Sequence, residues 1–159
     1  MTTPLAEGPL RVPRRDGERS PERRLRGTAV VFLVAVAAHG VDHLRRGVDV
    51  VTTQVLSAGA IQFLLALITV ALVHRRHPWS PYAAIALGFS SAIGFTAAHL
   101  LPHWSSFSDP FIGRHVAPNV TGLSWATALF EIGADLAFGW AGVRAVRTYG
   151  TRNVTSAWR

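Results

Sequence analysis

Residues 51–73 read VTTQVLSAGAIQFLLALITVALV, a run without a single charged side chain. About 20 such residues, rising 1.5 Å each as a helix, cross a hydrocarbon core about 30 Å thick. A surface helix of a soluble protein would carry a continuous polar stripe. Here the polar residues are scattered Thr, Ser and Gln. Basic residues bracket the run, Arg45 and Arg46 before it and Arg75 and Arg76 after it. The stretch is therefore read as a transmembrane span, and it sets how its neighbours are read.

Three further apolar blocks have spanning length: 28–44 (TAVVFLVAVAAHGVDHL), 81–102 and 122–146. Pro81 suits a first helical turn, and Pro102 marks a weakening end. Together the four blocks consume more than half of the 159 residues, which leaves no room for a soluble domain. The expected fold is all-α, a polytopic integral membrane protein built as an antiparallel bundle of four transmembrane helices over 27–147. Residues 1–26, rich in Pro, Gly, Arg and Glu without apolar period, are expected to form a disordered basic arm. Residues 148–159 are expected to form a polar cytoplasmic tail after the last span.

All sixteen basic residues are arginine. With four spans, thirteen of them share one side of the membrane: seven in 1–26, Arg75 and Arg76, and Arg144, Arg147, Arg152 and Arg159. Only Arg45, Arg46 and Arg114 lie on the other. The positive-inside rule then puts both termini in the cytoplasm, in the inner or plasma membrane. Arginine without lysine, beside abundant Ala, Val and Gly, reads as the codon bias of a GC-rich genome, and hence a bacterial source. A pI near 11.5 would suit a nucleic-acid partner, but the charge flanks apolar spans, so the expected partner is the bilayer and its anionic head groups. The run 28–37 also has the form of a signal peptide ending in Ala35-Val36-Ala37; the apolar stretch continues past that point, which favours a retained span.

No cysteine is present, so disulfides, thiolate catalysis and Cys-based metal sites are excluded. Nor does the chain carry a Walker loop, a GxGxxG, a GxSxG or an internal repeat. What it does carry is ionisable residues inside the spans, each costing about 2.5–3.5 kcal/mol at mid-span. They are His39, Asp42 and His43 in HGVDH, His99 and His103 in HLLPH, and Glu131 and Asp135 in EIGAD. Three pairs are spaced i, i+4, which places both members on one helix face. Small residues nearby, Ser91, Gly94, Ser124 and Gly133, would allow close helix approach. The histidines are expected in the outer halves of spans one and three, with Glu131 roughly 14 Å deep by helical rise.

Imidazole and carboxylate groups converging in a helical bundle suit a divalent transition metal: Zn, Fe, Mn or Cu. The two HxxxH pairs resemble the histidine boxes of membrane di-iron hydroxylases and desaturases, although the adjacent histidine pairs of those enzymes are missing here. The candidate ligands are His39, His99, Glu131 and Asp135, with His43 and His103 beside them and Asp42 and Gln62 as supporting groups. Such an ion would act on a lipidic substrate arriving through the bilayer. Competing possibilities are a b-type haem between histidines of spans one and three, a proton or ion path, and a structural membrane subunit or partner-binding scaffold whose buried ion pairs hold the helices in register. The loop 107–120, with Phe111 and Ile112 between polar residues, is placed to cover the outer mouth.

Overall fold

The structure, a computed structural model, describes residues 20–156 and the side chains of 21–148. It is all-helical, with no strand among the described residues. The helices are α1 (Ser20–Arg46), α2 (Thr53–His74), α3 (Ser80–His99) and α4 (Gly122–Ser156), with a short 3₁₀ turn at Val48–Val50. Three of them, over Pro21–Arg46, Thr53–His74 and Ser80–His99, are long and apolar enough to cross a membrane. α4 is longer but less apolar, because Glu131 and Asp135 fall within its apolar part.

α1 starts earlier than the sequence pattern indicates, so residues 20–26, expected in the arm, are helical. The reason is Leu25. It is the one apolar residue among the arginines, and it joins Ala29, Phe32 and Val36 at helical spacing on the buried face. Residues 1–19 of the arm lie outside the described residues. At the other end Gly47 stops the helix at φ 102°, where an added Cβ would lie 2.7 Å from Asp49 Oδ1. α3 ends at His99 rather than at 102. Pro102 has no N–H and disfavours helical backbone at Leu101, so the last turn closes with the Leu100 N–H on Thr96 O.

The α2–α3 turn closes α2 with paired bonds, the His77 N–H on Leu72 O and the Arg76 N–H on Val73 O. This is a Schellman-type cap, and its left-handed position, usually glycine, is held by Arg76 at φ 55°. A side chain there costs about 1–2 kcal/mol.

α4 is the centre of the packing, lying against α3 over most of its length and against α1 on its other side. The α3–α4 seam closes on glycines that were not singled out from the sequence. A Cβ on Gly88 would sit 2.6 Å from Asp135 O, and one on Gly142 2.6 Å from Pro81 O. Gly94 and Gly133 face open space instead, while Ser91 and Ser124 are buried. α2 is peripheral. Only Ala66, Thr69 and Val73 of its side chains are buried, and Ile61, Leu64 and Ile68 stand outward. A helix apolar on all sides is what lipid, not water, accommodates.

Gly88→Ala should therefore lower the thermal unfolding midpoint in detergent, since overpacking costs about 1–3 kcal/mol. Gly94→Ala, into open space, should raise it through helix propensity, about 1 kcal/mol. Circular dichroism melts of the two variants check the α3–α4 seam.

Candidate metal centre

The end of the bundle where α1 and α3 finish and α4 begins gathers three histidines. His39 and His43 occupy successive turns of α1 and share a face, with ring centroids 4.6 Å apart. His99 is the last residue of α3. One ligand atom from each of the three lies within 4.8 Å of the others. His39 and His99 are 2% and 1% exposed, whereas His43 is half-buried and gives the cluster its open side.

The closest approach is between His39 Nε2 and His99 Nε2, 3.1 Å. The orientation of His99 is fixed from behind. Its Nδ1 lies 2.9 Å from the backbone carbonyl of Asp109, which can only accept, so Nδ1 carries the proton. In the neutral ring, Nε2 is then a bare lone pair aimed at His39. Two nitrogens bound tetrahedrally to one ion at about 2.0–2.1 Å lie roughly 3.3 Å apart, close to the separation found. A haem held between these two rings is a different matter. Its axial nitrogens stand about 4 Å apart with the macrocycle between them, and this pair leaves no room for it.

Aromatic rings wall the cluster. Phe95 meets His39 edge-on and lies nearly parallel to His99, and Phe111 packs on the other side of His99 at 4.6 Å. Phe111 belongs to the loop after α3, which does cover this end of the bundle. Its N–H bonds to His99 O, and the Asp109 N–H bonds to Ala98 O.

Asp109 and Arg46 organise the mouth. The Arg46 guanidinium grips both oxygens of Asp109 at 2.6 Å each, and its Nε donates to Pro118 O. The same carboxylate stands 3.6 Å from His99 Nδ1 and 3.8 Å from His43 Nδ1. Neither residue was singled out from the sequence. Arg46, a topological flank by its place in the sequence, is 1% exposed. Asp109 did leave a signal, as the one acid in the loop 105–121.

The carboxylates of α4 sit deeper. Glu131 and Asp135 are fully buried. Glu131 Oε1 accepts from Gln62 Nε2 at 3.3 Å, and Oε2 lies 3.9 Å from His39 Nδ1, beyond hydrogen-bond reach. His39 Nδ1, His43 Nδ1, Glu131 Oε2 and both oxygens of Asp135 are buried without a hydrogen-bond partner. Each such group costs about 1–3 kcal/mol. That concentration of unpartnered polar atoms beside three imidazoles fits a site built for a cation. Asp135 lies one turn beyond Glu131 and outside the three-histidine group. Asp42 is buried and pairs with Arg45 at 2.8 Å, and Arg45 reaches on to Thr121 and Ser124.

His103 is the clear departure from expectation. Because α3 stops at His99, the i, i+4 spacing does not put the two residues on one helix face. His103 stands exposed beside His115, ring centroids 6.4 Å apart, away from the cluster.

Comparison with known proteins gives no match: no family model, no curated protein and no solved structure is similar to the chain.

Removing one member of the Arg46–Asp109 pair leaves the other as a buried, unpaired charge. Arg46→Met and Asp109→Leu should each destabilise the protein by about 3–5 kcal/mol, and the double variant should recover much of that loss. Thermal melts of the four proteins in one detergent measure the coupling.

Proposed function

We propose that the chain is a four-span membrane protein that holds one divalent transition-metal ion on His39, His43 and His99 at the outer end of the bundle. The observation that carries this is the buried histidine triad, whose ligand atoms lie within 4.8 Å of one another, with His99 Nε2 freed by the Asp109 carbonyl. A ligating imidazole commonly donates its other N–H to a carbonyl or carboxylate, which orients the ring and makes it more basic. Asp109 does this for His99; Glu131, held by Gln62, stands 3.9 Å from His39 Nδ1, an adjacent carboxyl group rather than a hydrogen-bond partner. Zn, Fe, Mn and Cu all suit imidazole ligands.

Three histidines leave a coordination position open, as in catalytic rather than closed structural sites, and a bound ion there would supply Lewis acidity or an activated water. The half-buried side of His43 is the approach to that position. It lies near the outer interface, which favours a lipidic substrate or one presented at the membrane surface. Asp135 is placed to extend the polar pocket inward. A path through the membrane has less support. Beyond Asp135 the interior is filled by Phe32 stacked on Phe138, and no buried ionisable side chain lies on the inner side among the described residues.

The reading of α4 as the fourth span is supported by its outward side chains. Leu123, Leu129, Phe130, Leu136 and Trp140 are exposed, while Glu131 and Asp135 turn inward. The thirteen-to-three arginine distribution supports cytoplasmic termini.

Elemental analysis of the detergent-purified protein should find about one transition-metal atom per chain. His39→Ala and His99→Ala should abolish it. Glu131→Gln should keep the stoichiometry under saturating metal but weaken affinity about 10–100-fold. A chain that stays metal-free after reconstitution would overturn the proposal and leave buried ion pairs in a structural subunit as the better account.

Because the chain has no cysteine, single introduced thiols report topology cleanly. In intact cells Ser106→Cys should react with an impermeant maleimide, and Ser156→Cys should react only after permeabilisation. Labelling of both from outside would refute the fourth span.

A further inference from the structure

At the end of the bundle opposite the histidines, the first turns of α1 and the α2–α3 turn flank an open groove of about 410 Å³. Its rim is basic, with Arg26, Arg76 and His77, and one acid, Glu22, lies among the lining residues. Its floor is apolar, formed by Leu25, Val73 and Pro81 with the Tyr82 ring. Neither Arg26 nor Arg76 forms an ion pair among the described residues. Arg76 is also the residue that holds the left-handed cap position where glycine would be unstrained. A side chain retained at such a position points to a use for that side chain.

From this geometry we infer that the groove seats the head group of an anionic phospholipid, with Arg26 and Arg76 on the phosphate and the lipid backbone on Leu25, Val73 and Pro81. Guanidinium groups match phosphate oxygens in a planar, forked contact. The apolar floor selects a lipid over free phosphate, because a hydrated anion gains nothing from Leu25 or Val73. The position agrees as well. The groove lies at the arginine-rich ends of the helices, where anionic lipid of the cytoplasmic leaflet meets basic pockets between spans. The inference rests on the membrane placement and orientation proposed above and is independent of the metal.

The full chain is purified in a neutral detergent and titrated with phosphatidylglycerol or phosphatidylcholine, and retained lipids are counted by native mass spectrometry. Wild-type protein should hold one phosphatidylglycerol in preference to phosphatidylcholine. The double variant R26Q/R76G should bind it on the order of thirtyfold more weakly, at about tenfold per 1.4 kcal/mol and roughly 1 kcal/mol per basic side chain. R23Q/R24Q, which removes two exposed arginines outside the groove, should change binding much less. R76G alone should melt higher than wild type, because the strain at φ 55° is relieved, and still bind the lipid more weakly; that split separates binding from folding. Equal losses in R26Q/R76G and R23Q/R24Q would overturn the site in favour of diffuse surface charge. Displacement of the lipid by millimolar inorganic phosphate would overturn the lipid as its ligand. Metal content measured on the same samples, and maleimide labelling of the two cysteine variants in cells, keep failure of this inference apart from failure of the metal or of the topology.

Discussion

Two hydrogen bonds of 2.6 Å join Arg46, the last residue of α1, to Asp109 in the loop that follows α3. That pair ties together segments 63 residues apart in sequence and turns the loop into a cover for the histidine end of the bundle. Once Asp109 is held there, its carbonyl accepts from His99 Nδ1, and the proton position of that ring is decided. The Nε2 lone pair then faces His39. Asn119 reinforces the arrangement by donating to Arg46 O, so both ends of the loop are pinned to the same arginine. The mutual orientation of the histidines thus depends on a contact made outside the helices that carry them.

The second constraint is the solvent. An apolar environment tolerates ionisable groups only when they turn away from it, and the helices obey this one face at a time. On α4, Glu131 and Asp135 point inward while Leu129, Phe130 and Leu136 point out. On α1, His39 and Asp42 are buried while Val41 and Leu44 are exposed. Interior apolar packing alone would not hold these polar faces. The α3–α4 seam does, because Gly88 lets the α3 backbone approach the α4 backbone at Asp135 and Gly142 does the same at Pro81. The seam and the loop cover therefore play complementary parts, one flanking the buried carboxylates of α4 and the other covering the histidines.

Much of this was legible in the sequence because membrane burial acts on whole segments. A run such as 51–73 has one stable state in lipid, since every backbone group must be satisfied within the helix. The i, i+4 pair His39 and His43 is equally local, fixed by helical rise alone. The pair His99 and His103 shows the limit of that logic. Its spacing was helical but its backbone was not, since Pro102 had already ended the helix. Leu25 shows the opposite error, a single apolar residue among arginines that looked solvated yet belonged to the core through contacts with residues far along the chain. Gln62 was readable as a supporting group because an amide inside an apolar span needs a partner. Its partner, Glu131, lies 69 residues away.

Composition and period were thus enough to mark an all-helical chain, the apolar helices compatible with a membrane, and the chemical identity of the groups that would have to meet. Those properties follow from composition and period, which are local and survive any packing. Which histidines converge, which ring nitrogen faces which, and the roles of Arg46, Asp109, Gly88 and Gly142 were decided only by tertiary structure. Each of these depends on distances between residues remote in sequence, set by how closely two helices approach and where a loop is pinned, and no periodicity in a single chain encodes that.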